Sequence, residues 1–138
     1  MAYQTPVLTK SFPCDTAIPA NTVLVASVTN AGNLSLPAAA GATGIVGVSV
    51  FPSTGSITFY TGVTVEGIVQ CRFLTGVAIG MGNAVKIADV FGRVTKATPG
   101  APGTTLRGLI GIALQTRLAG DATDTLVDVL LTPGTVVE

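Results

Sequence analysis

The sequence predicts a mainly β fold. The expected form is a compact single domain, β-barrel-like or β-sandwich-like, built from a pseudo-duplicated pair of lobes behind an extended N-terminal arm. Three observations carry this. From Ile57 to Phe73 the side chains alternate with period two, as in a strand with one buried and one wetter face. Short β-branched runs recur, each ended by a cluster of Gly, Asn or Pro, while no stretch keeps a helical period over three turns. The pattern of one half also returns in the other half. A length of 138 residues suits one domain.

Residues 1–16 read as the arm. Pro6 and Pro13 hold the backbone extended and forbid a helix. Val7, Leu8, Thr9, Lys10, Ser11 and Phe12 lie between them and form one strand if they find a sheet edge. The β-rich body is expected over 17–132. Val23 to Val28 is β-branched and stops at Asn30-Ala31-Gly32-Asn33, a turn cluster. Pro37 to Gly41 has room for one helical turn. Gly44 to Val50 predicts a buried strand whose glycines allow close backbone approach.

The long alternation follows, with Ile57, Phe59, Val63, Val65, Val69, Cys71 and Phe73 on one parity. Strands of that length are unusual, so a break is expected near Thr61-Gly62 and a bulge near Gly67. Later strands are expected over 84–88, 93–96, 109–114 and 125–131, with Pro99 to Gly103 as a loop and 133–138 as a C-terminal tail. The internal repeat pairs Thr43 to Val50 with Arg107 to Leu114, Asn21 to Ala26 with Asn83 to Ala88, and Gly32 to Ser35 with Gly92 to Thr95. It sets the lobes at about 17–70 and 78–132.

Composition narrows the function. Seven Lys and Arg balance seven Asp and Glu, and charged residues make up 10% of the chain, against about 25% in an average domain. Such a chain has no basic field to neutralise phosphates, so nucleic acid is not an expected partner. The count of His is 0, which removes imidazole acid–base, nucleophilic and metal chemistry. Disorder is excluded, because 48% of residues are hydrophobic and the net charge is zero. With a mean hydropathy of +0.66, a domain this size does not hide all its apolar area alone, so either Thr, Ser, Asn and Gly keep the surface wet or, the favoured reading, much of it is covered by partners.

No run approaches the ~18 apolar residues of a membrane helix, and the first residues lack a secretory signal pattern; synthesis and folding in the cytosol are the expectation, with no membrane partner. Cys14 and Cys71 are too few and too distant for a disulfide scaffold or metal knuckle and are expected as free thiols.

Several motifs invite chemistry and are set aside. The glycines of Gly76 to Gly82 are followed by an Asn and a strand, not by the helix and Lys of a phosphate loop, so they form a turn. Asp121, Asp124 and Asp128 lack the sharp-turn glycine and closing Glu of a Ca²⁺ loop. Lys10, Lys86 and Lys96 occupy polar strand positions, unlike the buried lysine of a Ser-Lys pair. The carboxylates Asp15, Glu66, Asp89, Asp121, Asp124, Asp128 and Glu138 form no marked acid–base pair. No enzyme activity, cofactor or metal is expected.

The run from Val63 to Gln70 leads into Gly76 to Gly82, then Asn83-Ala84-Val85-Lys86-Ile87, the short Gly92 to Thr95 strand, and Gly108 to Leu114. That order resembles the small capsid decoration, or head cement, proteins of tailed bacteriophages, over about Ala17 to Leu131. The resemblance implies a compact β-rich virion protein, often a homotrimer. It implies a seat on the outside of the expanded capsid at local three-fold positions, bridging neighbouring major capsid proteins. The Pro-bounded arm and the full first lobe depart from the family pattern. On this view Val7 to Phe12 add to a sheet edge on the capsid protein, seating Leu8 and Phe12 in a socket; the rival reading is that the arm packs on its own domain as an ordinary edge strand. Two other classes fit the residues: another phage structural β protein of the tail or fibre, and a non-catalytic carbohydrate-binding β module. The absence of Trp speaks against the second.

Overall fold

A computed structural model describes residues 8–42, 44–55, 59–98 and 105–137, and among these every regular element is a strand. They are β1 (Leu8–Cys14), β2 (Val23–Ala26), β3 (Leu34–Ser35), β4 (Ile45–Ser49), β5 (Phe59–Arg72), β6 (Ala84–Ile87), β7 (Val94–Lys96), β8 (Thr105–Ala113) and β9 (Leu126–Val137). They hydrogen-bond in the order β1-β3-β2-β4-β5-β9-β8-β6-β7, and β1 also pairs with β5.

That extra pairing closes the first half into a small barrel. β1 meets β3 in parallel at Cys14 and Leu34, β3 pairs with β2, β2 with β4, β4 with β5, and β5 returns antiparallel to β1. The second half repeats the circuit. β5 pairs with β9, β9 with β8, β8 with β6 and β6 with β7. Phe73, just past β5, then bridges Val94 of β7 in parallel. Closing a sheet on itself removes the unpaired edges that invite aggregation.

β5 belongs to both circuits. Phe59 to Glu66 lies against β1 and β4, and Gly67 to Arg72 lies against β9. The hand-over is marked by a bulge: Leu8 faces Glu66 while Thr9 faces Thr64, so Val65 is the extra residue. Gly67 follows with φ of 109°, a backbone state that L side chains rarely adopt. A bulge bends and twists its strand, which turns β5 from one barrel into the next.

The correspondence extends to loops. Ile18 exchanges backbone and side-chain hydrogen bonds with Ser53, and Ile79 exchanges backbone bonds with Arg117; both isoleucines are buried. The Asn21 amide donates to the Ser49 carbonyl at 2.8 Å, and the Gly82 amide donates to the Ala113 carbonyl at 2.8 Å. Both donors have positive φ, 56° at Asn21 and 87° at Gly82. In each unit a glycine of the fourth strand sits against the neighbouring backbone. A Cβ on Gly47 would stand 3.0 Å from the Thr64 carbonyl carbon, and one on Gly111 2.8 Å from that of Leu130, each nearer still to the oxygen.

The first barrel is filled by Cys14, Ile18, Leu24, Leu34 and Val63. A larger cluster fills the second and includes Phe73, Ile79, Val85, Val94 and Val129.

Several expectations change. The stretch Leu8–Cys14 is a wall of the first barrel, not a detached arm, because β5 supplies the sheet edge it needs; residues 1–7 lie outside the described residues. No break falls at Thr61-Gly62, since β1 supports β5 through that stretch, and the irregularity sits at Val65-Gly67. The circuits divide at Glu66-Gly67 rather than between 70 and 78. Asn21 corresponds to Gly82, not Asn83. The 133–138 tail is β9 continued to Val137, paired with β8 at Thr105 and Leu106. Pro37 to Gly41 forms turns without a helix.

Candidate functional site

The residues expected to bind a partner, Leu8 to Phe12, fall on β1, paired residue by residue with β5; Val7 lies outside the described residues. Thr9, Lys10 and Ser11 are exposed and Phe12 is half-buried, packing on the first core. The Lys10 ammonium lies 5.5 Å from the centre of the Phe12 ring, a cation–π contact of about 0.5–1 kcal/mol at an exposed site. One edge of β1 is therefore taken by its own chain. What it presents outward is a polar strand face, where Thr9 Oγ1 lies 3.2 Å from Thr64 Oγ1.

The densest group of charges sits at one edge of the second unit. Arg93 pairs with Asp89 at 3.1 Å and with Asp124 at 2.9 Å, and Arg72 reaches Asp124 at 3.5 Å. The hydrogen bond that Arg93 donates to Asp124, with the one it donates to Asp89, stabilises the charged guanidinium and raises its pKa. Arg72 also donates to Thr22 Oγ1 at 3.0 Å and to the Phe91 carbonyl. These bonds use the charges to lock the Asp89–Gly92 turn and to tie the units together. Among the described residues no group of His, Cys, Asp or Glu has the spacing to hold a metal ion.

A second polar group surrounds Asp15. Its carboxylate accepts hydrogen bonds from Ser27 Oγ at 2.5 Å, Asn30 Nδ2 at 2.9 Å and Asn33 Nδ2 at 3.0 Å. These donors hold its pKa below the usual carboxylate value. The arrangement ties the loop after β1 to the turn between β2 and β3, so its role is structural.

Cys14 and Cys71 are free and buried. Burial, then the nearby Asp128 charge, pushes the Cys71 thiol up to about 12, and burial also raises Cys14. A nucleophilic cysteine needs the opposite environment.

An open cleft of about 320 Å³ lies where β5 passes between the units, lined by Thr9, Asn21, Val48, Thr64, Ile68 and Gln70 among others. Its lining is neutral, with amide and hydroxyl groups and aliphatic side chains.

Several large apolar side chains are also exposed, Val28 and Phe91 among them. Phe51 and Tyr60 are 66% and 48% exposed on the first unit, and Met81 and Leu118 are 71% and 64% exposed on the second, with Val77 nearby in sequence. Tyr60 sits on the short Thr54–Tyr60 bridge, while Met81 and Leu118 flank the Ile79–Arg117 bridge. Sequence alternation puts Tyr60 on the wetter face of its strand but does not reveal Phe51, Met81 and Leu118, which lie outside the strands, where parity carries no information.

Comparison with known proteins adds nothing to this surface. No family model, curated protein or solved structure matches this chain.

Proposed function

We propose that this protein is a structural component of a tailed-phage virion that binds the outer surface of the expanded capsid and bridges neighbouring major capsid proteins, acting as a homotrimer. The observation that supports this best is the exposed apolar set Phe51, Tyr60, Met81 and Leu118 on two closed, low-charge barrels. Closed barrels keep such side chains on rigid backbone, so ordering costs on binding are small. Apolar contacts with few charges hold across a wide range of ionic strength. Several weak contacts per assembly multiply into tight attachment.

The capsid contact then falls on the loop-borne apolar side chains of both units, joined by the exposed faces of Thr9 and Ser11 on β1. The test is co-sedimentation with heads of the phage that carries the gene. Expanded heads are expected to carry the protein down and unexpanded ones to leave it in solution. Double substitution Phe51→Asp, Met81→Asp is expected to abolish the effect while the circular dichroism spectrum stays that of the parent. Equal binding to both head forms, or to neither, refutes the reading.

A further inference from the structure

The junction between the two units is made by two different faces. On the first unit, the outward side chains Val23, Val25 and Val48 are buried against the core of the second. The second unit receives them with an end that carries Val69, Ile87, Gly92 and Gly108, all buried. Backbone bonds seal it: Val23 N–H donates to the Gly92 carbonyl and Gly41 N–H to the Ile87 carbonyl, each at 3.1 Å. The fit is close. A Cβ on Gly92 would lie 2.8 Å from the Val23 oxygen, and one on Gly108 would lie 2.7 Å from the Gly41 Cα.

The repeated pairings locate the counterpart of each position in the other unit. The outward set of the second unit is Ala84, Lys86 and Ile112, with Leu130 in the place of Thr64. Ile112 is 40% and Leu130 38% exposed, where Val48 is 1% and Thr64 3% exposed. The receiving end of the first unit is Lys10, Ala26, Gly32 and Gly44, and all are exposed. Gly32 and Gly44 keep the positive φ of their counterparts, 88° and 80°, yet among the described residues nothing lies within 4 Å of a Cβ built on either. Among the described residues, a contact that is filled between the units is open on their outer sides, with a face on one unit and its complementary socket on the other.

We infer that the protein self-associates head to tail. The outer face of the second unit of one copy, centred on Ile112 and Leu130, seats in the open end of the first unit of the next, at Ala26, Gly32 and Gly44. The contact is heterologous, so it closes into a ring or runs on as a filament. The contact stands on the internal repeat; only closure at three copies, a ring of six units, rests on the homotrimer proposed above. Lys10 replaces Val69 and Lys86 replaces Val25 in this contact, so the junction between copies is weaker than the one within a chain. The two like charges also make it tighten as salt screens them.

The test uses two surface substitutions on the full chain, Ala26→Arg in the socket and Ile112→Arg on the face, with mass read by light scattering at micromolar concentration. The parent is expected at three copies and each variant at one, with far-ultraviolet spectra unchanged. Mixing the variants is the decisive arm. Each retains one intact side, so a one-to-one dimer forms and goes no further. Leu130→Arg replaces Ile112→Arg if the latter misfolds, and Lys10→Met is expected to tighten assembly by tenfold or more. A monomeric parent, variants that still assemble, or a mixture that stays monomeric overturns the contact. A parent mass of two or four copies with a dimerising mixture keeps the contact and refutes the three-copy count alone.

Discussion

Gly111 offers the sharpest test of the closed second barrel. A Cβ there would lie 2.8 Å from the Leu130 carbonyl carbon and 3.0 Å from the Thr132 nitrogen, and closer still to the Leu130 oxygen. All three are backbone atoms, so no side chain can swing aside. Since carbon–oxygen contacts settle at roughly 3.3–3.6 Å, Gly111→Ala must push β8 from β9 where Gly111 faces Leu131 and Ile112 faces Leu130. Overpacking alone costs typically 1–3 kcal/mol, and lost ladder hydrogen bonds cost about 1 kcal/mol each. A destabilisation of about 3 kcal/mol is expected, a fall in melting temperature of roughly 10 °C for a domain of this size. Gly62→Ala is the internal control: its Cβ would meet Thr9 Cγ2 at 3.7 Å, ordinary contact, and the change should stay within about 1 kcal/mol. Urea unfolding followed by circular dichroism measures both. A Gly111→Ala protein within about 0.5 kcal/mol of the parent would refute the β8–β9 register.

Other outcomes follow from the same geometry. Deleting residues 2–16 removes β1, one wall of the first barrel, together with buried Cys14; the truncated chain is expected to lose cooperative unfolding, and a two-state melt like the parent's would contradict this. Cys71, with its thiol pushed up to about 12, should resist a thiol reagent in the native protein at pH 8, and both cysteines should react once denaturant is added. A rapid native reaction at Cys71 would count against its burial. Asp15 has a folded pKa lowered by Ser27, Asn30 and Asn33, below the ~3.9 of an unfolded chain. Its contribution is therefore complete above that value and is lost as pH falls through the folded pKa. The gap in melting temperature between the parent and Asp15→Asn should shrink in that acid range; a gap that is constant with pH refutes the network.

Much of the strand content was legible because period two is a local signal. The alternation from Ile57 to Phe73 located β5, and Val23 to Val28 located β2. Closure was not legible. It depends on single parallel bridges, Cys14 with Leu34 and Phe73 with Val94, and one of these uses a strand of two residues. The same alternation runs through both barrels and so hides the boundary; Gly67 is its one mark, and a glycine signals a bulge without signalling a hand-over between barrels. The partner of β1 is not legible either, because a strand's sequence does not name the edge it pairs with. At Asn21 the letters match Asn83, one residue out, while the left-handed backbone it shares with Gly82 leaves no mark in the letters. Of the candidate surfaces, the sequence held one usable hint: Lys86 stands where Val25 is buried, so the same face was wet in one unit and dry in the other.

The proposal of a capsid-binding trimer is tested most directly by cryo-electron microscopy of expanded heads incubated with the purified protein. The expected result is added density on the outer surface at local three-fold positions, each large enough for three two-barrel copies, with the Phe51 and Met81 loops against the shell. Heads that stay bare at saturating protein, or density confined to the tail, would contradict it.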